Sequence, residues 1–208
     1  MFDLSAVILA GGKSRRMKKD KALLTLGGKT FSQRLLAQLE NRPPGKTGRG
    51  DSPWSGRYGE RLFSAGRGGA RTYAGFGVPV IEDRYPDRGP LGGMCTALEA
   101  AAAPFVLILS VDIPCFDGGF VEFLIKPLSH GFDAVIPKTR DGRIHPLCAV
   151  YAKTCQKTFW KSLQHRNNRV MDALWGLRIN YPSLADGPFG EKILDNINTP
   201  ETYQALSG

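Results

Sequence analysis

The chain has 208 residues, 42% apolar and 23% charged, with a formal net charge of +9; at about 150 residues per domain it is expected to form a single domain over 1–208, large enough for a hydrophobic core. The longest mostly apolar run, 100–109, has about half the length of a membrane helix and contains Pro104, and no basic leader precedes the short N-terminal apolar stretch. Cys95, Cys115, Cys148 and Cys155 are too scattered for a CxxC knuckle or a disulfide scaffold, so a membrane protein, a secreted mini-domain and a zinc finger are excluded and a cytoplasmic location is expected.

In chain order, residues 4–10 (LSAVILA) are a short apolar run that ends at Gly11-Gly12, as a buried parallel strand ends at a turn. A polar loop follows to about Leu26. The spacing of Phe31, Leu35, Leu36 and Leu39 predicts a helix over 30–40, with Thr30 as its cap. Strands are expected over 78–81, 105–109, 133–137, 144–151 and 177–181, and helices over 92–103, 120–128, 153–165, 169–175 and 200–206. Asp141-Gly142 reads as a hairpin-type turn and Asp117 as the cap of the helix at 120. Trp160 and Trp175 fall at helical positions and are expected in the core, His165 on a helix surface, and Cys115 as a small apolar filler. Strands alternating with helices argue for an α/β fold with a mostly parallel central sheet flanked by helices.

Residues 41–77 break this rhythm. They hold 10 of the 25 glycines, together with Pro43, Pro44 and Pro53, and seven basic residues against two acidic ones, which accounts for five of the nine net charges. No β-branched apolar run marks a strand there, and the segment is expected to be irregular. Arg and Gly interleaved with Trp54, Tyr58, Phe63, Tyr73 and Phe76 fit an RNA-binding tract. An ordinary surface insertion, or translation out of frame between two compensating shifts, fits the same composition.

Two constellations carry chemistry. The first strand runs directly into Gly11-Gly12-Lys13-Ser14-Arg15-Arg16-Met17-Lys18-Lys19-Asp20-Lys21. Glycines at a strand's carboxyl end let backbone N–H groups approach an anion, and the cations that follow suit a polyphosphate. Lys21 is the candidate phosphate ligand, with Asp20 to hold it; the alternative is a solvated basic loop. This is not a P-loop: GK[ST] occurs at 12–14, 28–30 and 45–47, but the position five residues earlier holds Val7, Leu23 and Glu40 instead of glycine. The second constellation is Phe105-Val106-Leu107-Ile108-Leu109-Ser110-Val111-Asp112-Ile113-Pro114, where a carboxylate at the end of a buried strand suits a divalent metal bridging phosphate oxygens. A helix-capping role is the alternative for Asp112. A third feature, Ile81-Glu82-Asp83 followed by Gly89-Pro90-Leu91-Gly92-Gly93, places an acid able to accept from a base or ribose ahead of a helix N-terminus.

Together these residues resemble the molybdenum cofactor guanylyltransferases, which make molybdopterin guanine dinucleotide. The matching pieces are Leu9-Ala10-Gly11-Gly12-x-Ser14-x-Arg16-Met17-x-x-Asp20-Lys21, Val80-Ile81-Glu82-Asp83, Gly89-Pro90-Leu91-Gly92-Gly93, Asp112-x-Pro114, His145-Pro146, Arg169-Val170-Met171 and Asn196-Ile197-Asn198-Thr199-Pro200-Glu201. The resemblance implies a Rossmann-like nucleotidyltransferase that uses GTP and Mg²⁺. Leu9, Ala10, Gly11, Gly12, Lys21, Asp83 and Asp112 would then bind GTP, with Asp112 also the metal ligand. Asp112, Lys21 and Arg16 would carry catalysis. His145, Arg169, Asn196 and Asn198 fall where the molybdopterin substrate is expected. Nothing in 41–77 stands out as the asparagine that the family offers to the nucleotide from its second strand.

The reaction so implied is attack of the terminal phosphate of molybdopterin on the α-phosphorus of GTP, with pyrophosphate leaving in line. It depends on positioning and on neutralising charge, and a phosphate nucleophile needs no general base. Cofactor-delivery or molybdoenzyme-specific chaperone proteins are implied as partners, and neither nucleic acid nor membrane is expected. The other readings are a related transferase using CTP or a sugar phosphate, and a catalytically impaired nucleotide-binding homologue.

Overall fold

A computed structural model describes residues 2–10, 19–40 and 54–207. The chain runs β1 (Phe2–Leu9), a small hairpin of β2 (Thr25–Leu26) and β3 (Lys29–Thr30), α1 (Phe31–Gln38), β4 (Trp54–Ala65), α2 (Gly69–Tyr73), β5 (Val80–Glu82), α3 (Gly89–Ala100), β6 (Phe105–Ser110), α4 (Phe120–Ile125), β7 (Ala134–Val135), β8 (Cys148–Ala152), α5 (Cys155–Gln164), α6 (Val170–Ala173), β9 (Ile179–Asn180) and α7 (Pro200–Ser207). One sheet of seven strands, ordered β5-β4-β1-β6-β8-β7-β9, forms the centre. Its pairings are parallel except where β8 runs against β6 and β7.

Alternation in the strands builds two apolar layers. Leu4, Ala6 and Ile8 of β1, with Leu107 and Leu109 of β6, face Phe31 and Leu35 of α1 and Phe120 and Leu124 of α4. Val7 and Leu9, with Val106 and Ile108, face Leu91, Met94 and Leu98 of α3 and Phe159 of α5. A strand buried on both faces is apolar at most positions, Ser5 of β1 being an exception, which is why β1 and β6 were legible as apolar runs. Thr30 caps α1 through a capping box with Gln33, as its position predicts.

Residues 54–77 are not irregular. β4 lies inside the sheet, between β1 and β5, with Val7 paired to Leu62 and Ile8 to Phe63. The strand lacks β-branched residues, yet Tyr58, Phe63 and Ala65 face one layer and Leu62 the other. The glycines after it have a use: at Gly68 the backbone is left-handed (φ 82°), and a side chain at Gly69 would overlap the Cβ of Ala65. Residues 41–53 lie outside the described residues.

Other boundaries differ from expectation. The strand expected over 133–137 spans only Ala134–Val135, that over 144–151 begins at Cys148, and α3 starts three residues earlier than foreseen. Trp160 is 43% and Trp175 88% exposed, so neither is core. The buried stripe of α5 is Cys155, Phe159 and Leu163, which leaves Trp160 beside it. α6 ends at Ala173, which places Trp175 in the following turn.

Candidate active site

The carboxyl ends of β5, β4, β1 and β6 share one edge of the sheet. From β1 the chain steps outward to β4 and β5, then crosses back to β6 on the other side of β1. The strand order therefore reverses between β1 and β6, and an open α/β sheet offers its ligand crevice at such a point. Leu9 and Ala10 end β1 there: the Leu9 carbonyl accepts from Val111 N–H at 3.1 Å, and Ala10 N–H donates to Ser64 O at 2.8 Å.

Three residues far apart in sequence meet at this edge. Asp20 accepts from Ala22 N–H at 2.9 Å and so caps the short 3₁₀ turn at Lys21–Leu23. That turn directs Lys21 inward, with Nζ 3.5 Å from Asp112 Oδ2 and 2.5 Å from Asn198 Oδ1. The lysine and aspartate side chains are only 13% and 17% exposed, so their attraction is less screened than at a surface. The turn at 196–198 is held from below, because Ile197 N–H donates to the Asp112 carbonyl at 2.8 Å. Asp112 Oδ1 is buried and has no hydrogen-bond partner among the described residues. Leaving a carboxylate oxygen in that condition costs free energy, and an incoming cation or donor would recover it.

Beside Asp112 lies a cavity of about 150 Å³ lined by Asp112, Arg143, His145, Cys148 and Asn196, among others. Asp141-Gly142 forms the foreseen turn, with Gly142 at φ 85°, and the chain then returns along the cavity wall. His145 is 6% exposed, and its Nε2 is buried with no hydrogen-bond partner among the described residues. Burial first, and the nearby Arg143 charge second, hold His145 below the ordinary histidine range. Cys148 is fully buried, and burial pushes its thiol well up.

The remaining expected residues are dispersed. Asp83 follows β5 on the same edge, its N–H donating to Ala65 O at 2.8 Å. Its Oδ1 already accepts from Tyr85 N–H at 2.8 Å and Thr96 Oγ1 at 3.0 Å; burial raises its pKa, and these two donors oppose the rise. Arg169 is exposed at the start of α6 and does not line the Asp112 cavity. At the carboxyl end of β4 stands Gly66, with open space where a side chain would project, so that strand offers no asparagine. Gly11, Gly12 and Arg16 lie outside the described residues. Sequence reasoning missed Arg143, which adjoins the turn it did identify, and Tyr73, which it had placed in an irregular tract. Asn198, expected at the second substrate, accepts from Lys21 through its amide oxygen. No group of three or more His, Cys, Asp or Glu side chains among the described residues forms a metal cluster.

Comparison with known proteins identifies the family and the fold. Residues 6–176 match the family model of the MobA-like NTP transferase domain. A Carboxydothermus hydrogenoformans protein named "Probable molybdenum cofactor guanylyltransferase" is 32% identical, over 99% of this chain and 96% of its own. A Clostridium perfringens protein of the same name is 30% identical, over 99% and 97%. The crystal structure of molybdopterin-guanine dinucleotide biosynthesis protein A from Archaeoglobus fulgidus superposes with a TM-score of 0.78 at 20% identity, covering 98% of this chain and 96% of that one, which bears out the fold. A mostly parallel sheet with its switch point at β1 and β6, the Lys21–Asp112–Asn198 cluster on that edge and a family match across most of the chain converge: the protein belongs to the MobA-like NTP transferases and is a nucleotidyltransferase.

Proposed function

We propose that the protein transfers GMP from GTP to the terminal phosphate of molybdenum-molybdopterin, giving molybdopterin guanine dinucleotide and pyrophosphate. The observation that carries this reading is the meeting of Lys21, Asp112 and Asn198 at the switch point, with Asp112 Oδ1 orphaned beside a cavity. A cation and an unsatisfied carboxylate at the end of parallel strands suit a triphosphate, and the names of the relatives supply the base and the acceptor.

In this reading Leu9 and Ala10 approach the nucleotide through backbone, Lys21 takes charge from the phosphates, and Asp83 faces the guanosine. An acceptor phosphate oxygen forms a bond to the α-phosphorus, and the bond from that phosphorus to the bridging oxygen breaks. Pyrophosphate leaves with the electron pair. The acceptor is already ionised, so no side chain need take its proton, and the neutral His145 is a contact rather than a base. Arg143 and Asn196, which line the cavity with His145, hold the acceptor in this reading.

The residues present fit a divalent ion: Mg²⁺ needs one or two carboxylates and otherwise phosphate and water oxygens, and Asp112 offers an unpartnered oxygen. Bound there, Mg²⁺ would neutralise charge on the phosphate oxygens during transfer. GTP, CTP and ATP titrated calorimetrically with Mg²⁺, then GTP with EDTA, test the reading. A metal-dependent preference for GTP, and pyrophosphate release when molybdopterin is added, are expected. A preference for CTP would move the protein to cytidylyl transfer, and nucleotide binding without pyrophosphate release would mark an impaired homologue. Asp112→Ala should abolish turnover, whereas His145→Ala should leave a measurable rate; a fully active Asp112→Ala protein would sink the assignment.

A further inference from the structure

Tyr73 ends α2, in the part of the chain whose composition looked least structured. Its ring is buried and stacks on Phe63 of β4 at 5.7 Å and on Phe76 at 6.1 Å. Its hydroxyl donates to Asp20 Oδ2 at 2.7 Å and lies 3.4 Å from the Ala10 carbonyl oxygen. The other Asp20 oxygen is the one that caps the Lys21 turn. The phenol therefore touches two points that border the basic loop, the end of β1 and the residue before Lys21. Burial first, and the Asp20 carboxylate second, hold this phenol far above its ordinary range, so it remains a donor throughout neutral and mildly alkaline conditions.

We propose that Tyr73 is a positioning residue of the nucleotide site: through its hydroxyl it fixes Asp20, and through Asp20 the turn that holds Lys21 against Asp112 and Asn198. Three constraints support this. Asp20 has one oxygen for the turn and one for Tyr73, so neither contact displaces the other. The tyrosine ring is anchored on the strand beside β1, so the hydroxyl is held by the sheet and not by the loop. A charge-assisted hydrogen bond between a phenol and a carboxylate is among the stronger ones available.

The inference rests on the nucleotide reading, and its test separates the two. Tyr73→Phe keeps the ring stack and removes only the hydroxyl. Mg²⁺-GTP affinity should fall about tenfold while the thermal midpoint stays within a few degrees. In a Lys21→Ala background the same substitution should have no further effect on GTP affinity, because the group it positions is gone. An unchanged affinity in Tyr73→Phe, or an equal loss in both backgrounds, overturns the proposal. If the native protein binds no nucleoside triphosphate, the functional reading fails on its own. Hydrogen exchange at the Ala22 amide then decides the strut: at least tenfold faster exchange in Tyr73→Phe at equal global stability upholds it, and unchanged exchange rejects it.

Discussion

At the scale of single residues, burial decides most of the chemistry. Lys21→Ala should weaken GTP binding, with the dissociation constant from calorimetry as the readout. Buried thiols are poor nucleophiles because burial disfavours the thiolate; Cys95 is pushed up to about 11 and Cys155 to about 12. Cys115, only half-buried, should be the first to react with a thiol reagent in the native protein, and mass spectrometry of the first adduct identifies it. His145 predicts a pH dependence. The folded protein holds it below the usual range, so as pH falls through about 6.5 the unfolded chain takes up a proton that the folded chain refuses. Its contribution is thus present above that pH and lost as pH falls towards the folded value. Between about pH 7.5 and about pH 5.5 the thermal midpoint should drop, and His145→Gln should lessen the drop. Gly66→Asn should fold normally, given the open space there, and should tighten GTP binding if the second strand's missing amide is what the guanine lacks.

At the scale of elements, what could be read from sequence depended on how many faces an element buries. β1 and β6 are covered on both sides and appear as mostly apolar runs, so their ends, and with them Leu9, Lys21 and Asp112, were placed correctly on one edge. β4 is equally interior, but it carries Gly59, Glu60 and Arg61 ahead of its apolar end. Glu60 takes a hydrogen bond from Ser5 at 2.8 Å, a partner that only the fold supplies. Composition over a window hid the four residues that do the packing, Tyr58, Leu62, Phe63 and Ala65. Phe63→Ala should cost about 3–5 kcal/mol, and Gly69→Ala about 1–3 kcal/mol because the turn must move off Ala65; chemical denaturation measures both. Surface tracts tolerate such changes, so small values would return this segment to the status of an insertion. Trp175 shows the converse: helical spacing alone does not bury it when α6 stops two residues earlier.

At the scale of the whole molecule, the site is a property of topology. The sheet order could not be read from the chain, because nothing local tells β6 to cross back beside β1. Nor could the contact of Asn198 with Lys21, which spans 177 positions. The distribution of charge has to be judged against this order too. Removing residues 42–72, which would isolate an RNA-binding tract, instead deletes an interior strand. The shortened chain should lose cooperative thermal unfolding along with any nucleotide binding, and a cooperative transition in it would contradict the sheet described above.

That long-range contact also ties the site to a part of the chain far from the loop that opens it. A contact between distant parts of a chain carries the closure entropy of the intervening loop. The sheet from β1 to β6 can form while the turn at 196–198 is still undocked, and Lys21 and Asp112 would then face each other without their third partner. Only the finished chain presents the complete cluster. A nucleotide that favours the complete cluster stabilises it by RT ln(1 + L/Kd) at free concentration L, a gain that grows with the logarithm of that concentration. In the proposed reading GTP thus acts twice, as a reactant and as a selector of correctly completed molecules.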